Sequence, residues 1–294
     1  PAFIDSNETS IKINHVDFLR YKDDLKIYPI NYDNETITCE DFFKGKDIEF
    51  NNLHNDCDIY RDISSEIENI VRNRLNNRNN QLIYLISEPS AGTTTICNRI
   101  LWNIKNDYPS FELVSYKKQN TFEFLQKVYS SSNKPILIFA DHKIAEENIK
   151  SLVAELNTKN ITFVIIYVNR FLDKNEAIRY KKELKNPTKI SYNIVEELSR
   201  KEKQSFYNKL GEKYPQKRSE LLNLRNSNGG ITPFHFLFTV FLENYDNLDK
   251  YIEDRIKELN DYQQNRTLYL ALIQYYTGLD VSVRFLTNKI DKYS

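Results

Sequence analysis

The chain of 294 residues contains no methionine, one tryptophan, six glycines and eight prolines. So little glycine and proline excludes a collagen-like, linker-like or low-complexity chain. Neither sign of charge is in excess, since 41 Lys and Arg balance 41 Asp and Glu, and no bulk field draws the chain to nucleic acid or to an anionic membrane. Long apolar runs are missing too. "PILIFA" and "ITFVIIYV" fall far short of the ~20 apolar residues that cross a bilayer, and no secretory leader opens the sequence. Its three cysteines, Cys39, Cys57 and Cys97, form no CxxC pair; an odd count without a leader predicts reduced thiols in a cytoplasmic protein rather than a disulfide framework. A start at Pro1 fits either initiator removal or a piece of a longer chain.

What is present is the balance of a globular protein, 40% apolar and 28% charged, in a length that allows one large domain or two ordinary ones. Residues 1–60 read as a lead-in, with short strand-like pieces at "SIKIN" and "LKIYPI" and a one-turn helix at "CEDFFK" between Thr38 and Gly45. From Asp62 onward Ile63, Ile67, Ile70, Val71 and Leu75 recur at helical spacing, which predicts an amphipathic helix.

A regular alternation comes next: strand 82–86, helix 94–106, strand 111–116, helix 121–129, strand 136–140, helix 144–156, strand 161–168. Strands apolar on both faces and separated by helices predict an α/β domain over 61–187, a mostly parallel sheet covered on both sides. Beyond Pro187 one weak strand-like run, "KISYNI", precedes segments with helical character, among them Arg200–Lys213, 248–259 and 262–276, so 188–294 reads as an all-helical domain. Its aromatic stripes, Phe234, Phe236, Phe238 and Phe241 and then Tyr269, Tyr275 and Tyr276, read as core more readily than as a stacking surface.

The strand 82–86 runs into "SEPSAGTTT", Ser87 to Thr95. In the phosphate-binding pattern G-x-x-x-x-G-K-S/T a glycine-permitted turn aims backbone N–H groups at phosphate oxygens, next to the positive end of a helix dipole. Here Ser87 stands at the first glycine, Gly92 keeps the second, Thr93 stands at the lysine, and Thr94 keeps the hydroxyl that ligates Mg²⁺. Ser87, Glu88, Pro89, Ser90, Ala91, Gly92, Thr93, Thr94 and Thr95 are therefore the candidate phosphate loop.

The missing ammonium is worth roughly 4 kcal/mol at about 4 Å and an effective dielectric near 20, before desolvation. Because that cation also steadies charge during phosphoryl transfer, hydrolysis should fail before binding does; Arg99 is a candidate replacement. "ILIFAD" ends in Asp141, a carboxylate at the C-terminal end of a strand, where it would hold Mg²⁺ beside the loop. His142 comes next, where a second acid often polarises the attacking water, and reads most simply as an exposed loop histidine. "ITFVIIYVNR" ends in Arg170, either a sensor of phosphate or the solvated end of a strand. A strand-to-helix turn that merely keeps the shape of such a loop remains the alternative.

Together these segments resemble the STAND class of P-loop NTPases, close to NACHT-type and prokaryotic antiviral defence NTPases, over about residues 36–290. "TCEDFFKG" and "DIYRDISSEI" are similar to the entry segment and the arginine-acid element of that class, with Arg61 and Asp62 in the matching place. "SEPSAGTTT" is similar to "GEPGAGKTT", "ILIFADH" matches the acid-bearing strand without its second acid, and "VNR" matches the sensor strand. "GGITPFHFLF" is similar to the motif of a helical, winged-helix-like region whose proline lies near adenine, here Pro233.

The resemblance implies ATP or ADP with Mg²⁺, bound through Arg61, the loop and Pro233, with Thr94 and Asp141 toward the metal and Asp141 and Arg170 in the catalytic places. It also implies a nucleotide-dependent switch that forms a homo-oligomer on activation, together with effector and sensor domains or proteins. The departures at Ser87, Thr93 and His142 imply weak or absent hydrolysis; a scaffold that binds protein partners and no nucleotide is the other reading. The basic runs "YKKELKNPTK" and "EKYPQKR" are diluted by Glu183, Glu202 and Glu212, which argues against nucleic acid as a partner.

Overall fold

The computed structural model describes residues 2–4, 10–12, 19–29, 39–43, 46–87, 91–171, 178–180, 189–194, 197–241, 253 and 256–277. Two compact units divide it, Pro1–Phe241 and Leu242–Ser294. The first holds a short antiparallel pair, β1 (Ala2–Ile4) and β2 (Ser10–Lys12), and a six-stranded sheet. The sheet strands are β3 (Leu25–Ile27), β4 (Gln81–Ser87), β5 (Ser110–Leu113), β6 (Ile136–Ala140), β7 (Phe163–Arg170) and β8 (Lys189–Ile194). Their order is β3-β5-β6-β7-β4-β8, with β3 antiparallel to β5 and every other pairing parallel. The expected α/β architecture, a mostly parallel sheet covered by helices, is the observed one.

The covering follows from the period-two pleat of each strand. In β7, Phe163, Ile165 and Tyr167 enter one apolar layer, and Val164, Ile166 and Val168 enter the opposite one. The first layer is closed by α5 (Lys118–Ser132) and α6 (Glu146–Thr158), through Phe124, Leu125, Val128, Ile149, Leu152 and Leu156. The second is closed by α3 (Asp62–Asn76) and α4 (Thr93–Ile104), whose Ile67, Val71 and Leu75 and whose Ile96, Ile100 and Ile104 repeat every four residues and so share one stripe.

The lead-in is more than a linker. Tyr21, Leu25, Ile27 and Tyr28 are buried, and β3 extends the sheet. After it come α1 (Glu40–Phe43) and α2 (Phe50–His54). The expectation of reduced thiols is corrected here: Cys39 and Cys57 form a disulfide with their Cα atoms 5.3 Å apart, and Cys97 alone is a buried free thiol. The pairing arises because the chain after Cys39 folds back, so that both cysteines enter a third apolar cluster. That cluster is completed by α7 (Arg200–Lys213), α8 (Arg218–Asn226) and α9 (Pro233–Phe241), through Phe206, Leu210, Leu221 and Phe236.

The segment expected to open a helical domain at 188 begins instead with β8, which pairs with β4, and the helices as far as Phe241 share the sheet's compact unit. In the second unit, α10 (Asp261–Thr277) is described, whereas most of the helix expected over 248–259 lies outside the described residues. Of the aromatic stripes, Phe236 is core, while Tyr269 is 68% exposed and not core; the side chains of Phe234, Phe241, Tyr275 and Tyr276 lie outside the described residues. No helix among the described residues is long and apolar enough to cross a membrane.

Candidate functional site

Parallel pairing carries three chain segments to one edge of the sheet. β7 lies between β4 and β6, with Ser87 in register with Arg170 and Ala140 in register with Tyr167. The loop after β4, Asp141 after β6 and Arg170 at the end of β7 therefore converge at the carboxyl ends of the strands, where open α/β sheets bind ligands. Gly92 makes the turn into α4 at φ +78°, in the left-handed region that glycine enters without strain. The first-turn N–H groups of α4 have no intrahelical partners, and Thr93, Thr94 and Thr95 line a cavity. Ser87, Ala91 and Gly92 line it as well; Glu88, Pro89 and Ser90 lie outside the described residues.

The departures from the loop pattern have a local explanation. Ser87 is a strand residue without positive φ, so a glycine is not required there. Its hydroxyl is hydrogen-bonded to that of Thr93, which is 3% exposed. The two departures thus form one contact that braces the loop across the turn.

Beyond the loop, Thr94 Oγ1 donates to Asp141 Oδ2 at 3.0 Å. Arg170 Nη2 donates to Thr94 Oγ1 at 2.9 Å and to Asp141 Oδ2 at 3.1 Å. Asp141 Oδ1 accepts the His142 N–H at 2.6 Å and is bonded to His142 Nδ1. His142 is therefore turned onto the carboxylate, not outward as the sequence suggested, because the turn after β6 folds its ring back over the preceding residue. Burial raises the Asp141 pKa, but the hydrogen bond from His142 and the positive charge of Arg170 outweigh it, and the net shift is downward.

With the loop, the carboxylate and the arginine of neighbouring strands in mutual hydrogen-bond contact, the architecture is decided. The chain has the fold of a P-loop NTPase. No family model and no curated protein matches the sequence. Among solved structures, the chain is similar to PCH-2 of C. elegans, with 12% identity, TM-score 0.45 and coverage of 72% of this chain and 65% of that one. It is similar to a STAND protein with a tetratricopeptide repeat sensor from Pyrococcus horikoshii, with 14% identity, TM-score 0.40 and coverage of 73% and 35%. It is also similar to a chain from a structure on katanin self-assembly, with 12% identity, TM-score 0.43 and coverage of 85% and 87%. The chain thus spans less than two thirds of the first two of these P-loop proteins.

The cavity has a volume of about 320 Å³, inside the range of small-molecule sites. Phe42, Phe43, Ile59, Pro233, Leu237 and Phe238 give its lining an apolar component. Pro233, the residue that the resemblance places near adenine, is among these lining residues. The described loop residues are joined in the lining by Arg170, Arg99 and Lys46. The charge of Arg99 is committed: Nε donates to Asp58 at 2.8 Å, Nη2 also binds Asp58, and Nη1 lies 3.1 Å from Asp56. Arg99 therefore does not replace the lost lysine. Lys46, in the lead-in, was not identified from sequence, since no motif marks it.

Arg61 also lines the cavity, yet its side chain is spent on architecture. It donates to Glu202 Oε1 at 2.6 Å, to the Ala91 carbonyl at 2.7 Å and to the Glu197 carbonyl at 3.2 Å, and it is only 6% exposed. It ties the phosphate loop to α7. Glu202 does not line the cavity but holds Arg61 beside it; the pattern Ser199-x-x-Glu202 signals a capping box, and that box is formed.

Proposed function

We propose that this chain is a nucleotide-binding switch module whose cavity takes an adenine nucleotide, ADP or ATP, with weak or absent hydrolysis. The observation that carries the reading is the cavity of about 320 Å³ whose lining combines apolar side chains with the Gly92 turn and the first turn of α4. A non-catalytic scaffold that binds no nucleotide predicts a filled loop corner; that Ser87, Ala91, Gly92, Thr93, Thr94 and Thr95 line the cavity supports the nucleotide reading. Phosphate oxygens would face the backbone of Ala91–Thr95 and the Arg170 guanidinium, with the base among Phe42, Pro233 and Leu237.

Weak hydrolysis follows from the residues that would have to act. Thr93 offers no ammonium and is hydrogen-bonded to Ser87, and His142 is engaged with Asp141 where a second acid would orient water. Assembly into a homo-oligomer, effector and sensor partners, and a setting in bacterial antiviral defence rest on the resemblance of the motifs alone. Calorimetric titration of ADP and of ATP into the purified chain tests the nucleotide reading. Saturable binding at one site per chain is expected, with thermal stabilisation of RT ln(1 + [L]/Kd), about 2.7 kcal/mol at 100-fold excess over Kd. An absence of both binding and stabilisation refutes it.

A further inference from the structure

We propose that Arg170 is the resident cation of the phosphate site, standing in for both the missing lysine and the divalent metal, so that the chain binds nucleotide without Mg²⁺. The inference rests on the reading of the cavity as a nucleotide site.

Mg²⁺ requires near-octahedral geometry with oxygens at about 2.1 Å, which places neighbouring ligands about 3.0 Å apart. Thr94 Oγ1 and Asp141 Oδ2 are 3.0 Å apart, so their spacing alone suits the metal. The surroundings do not. Arg170 Nη2, at 2.9 and 3.1 Å from those same two oxygens, closes a triangle with them. The Thr94 hydroxyl gives its proton to Asp141 and accepts one from Arg170, while the other carboxylate oxygen is held by His142. The single negative charge of Asp141 is therefore already matched by a guanidinium at contact distance.

The cavity lining separates the same groups. Arg170 and Thr94 line the cavity and Asp141 does not. A phosphate entering beside Thr94 meets a cation where the usual arrangement presents a carboxylate that needs a metal between itself and the ligand. A guanidinium is suited to that position, because its fork of N–H donors matches phosphate oxygens and stays charged at every accessible pH. The donor set therefore does not fit a divalent ion while Arg170 is in place. Sequence could not reveal this, since it follows from β7 lying between β4 and β6.

The test is a titration of ADP and ATP into the intact chain in Mg²⁺ and in EDTA, repeated with Arg170→Ala and Arg170→Lys, with circular dichroism to confirm folding. Mn²⁺ electron paramagnetic resonance with ADP present gives a readout independent of activity. The wild-type Kd should change by less than about threefold on removing metal, whereas Arg170→Ala should weaken binding in EDTA by about tenfold or more and recover part of it in Mg²⁺. Arg170→Lys should fall between them, and only Arg170→Ala should show Mn²⁺ coordinated with the nucleotide. A wild-type loss of about tenfold or more in EDTA, Mn²⁺ coordination by the wild type, or an Arg170→Ala variant that binds like wild type in EDTA overturns this proposal and leaves the nucleotide reading standing. No binding by the wild type in either condition overturns both.

Discussion

Replacing Glu202 with alanine should cost far more stability than removing an ordinary surface acid. Glu202 Oε1 accepts from Arg61 Nε at 2.6 Å and from the Asp62 N–H at 2.9 Å, and Oε2 accepts from the Ser199 N–H at 2.8 Å. The paired side chains are 6% and 5% exposed, so the guanidinium left behind has little access to water. Breaking one side of a buried ion pair costs about 3–5 kcal/mol. For a unit the size of Pro1–Phe241 that corresponds to a fall in Tm of about 10 °C, taking about 2–4 °C per kcal/mol.

The same change should weaken nucleotide binding, because Arg61 also holds the Ala91 carbonyl of the phosphate loop at 2.7 Å. Urea unfolding of the wild type, Glu202→Ala, and the double variant Arg61→Met/Glu202→Leu separates the contributions. An apolar pair removes the stranded charge but also deprives the Asp62 and Ser199 N–H groups and the Ala91 and Glu197 carbonyls of these partners, so the double variant should recover only part of the loss in stability and none of the loop contact. If Glu202→Ala lost less than about 1 kcal/mol, as exposed pairs do, the assignment of this pair as a buried clasp between loop and helix would be refuted.

Gly92→Ala should cost about 1–2 kcal/mol by urea unfolding, from the positive φ alone, since an added Cβ meets nothing within 4 Å; a neutral result would mean the turn does not need its left-handed residue. Reduction of Cys39–Cys57, which closes a loop of 18 residues, should lower stability by about 3 kcal/mol in the loop-entropy account, measured as unfolding with and without dithiothreitol; an unchanged midpoint contradicts the pairing. Asp141 has a folded-state pKa below its ordinary 3.8, so its contribution is complete above that value and is lost as pH falls through the lower, folded value. Asp141→Asn should therefore show a shallower acid limb in a plot of Tm against pH, and a limb as steep as the wild type's would argue against the ion pair with Arg170.

The sheet was legible in the sequence because its strands are apolar on both faces and separated by helices of one amphipathic period. Asp141 and the Gly92 loop were legible because each sits just past the end of a strongly apolar strand. The features that escaped were set by distance in the chain. The strand character of "LKIYPI" was legible and β3 forms there, but its antiparallel pairing with β5 was not, because it joins segments far apart in the chain. Cys39 and Cys57 meet only because α1 folds back, which an odd count of cysteines cannot reveal. Arg61 and Glu202 are 141 residues apart, and their pairing depends on α7 packing beside the loop. The position of Arg170 depends on strand order, and the inward turn of His142 on a single backbone bend.

The central claim is that a nucleotide's phosphates rest on the backbone of Ala91–Thr95 in front of α4. Equilibrium binding of radiolabelled ADP, comparing the wild-type chain with Gly92→Ala, tests it most directly. The claim predicts saturable binding at one site per chain that weakens about tenfold or more in the variant. Equal affinity in both proteins, or no saturable binding by the wild type, would contradict it.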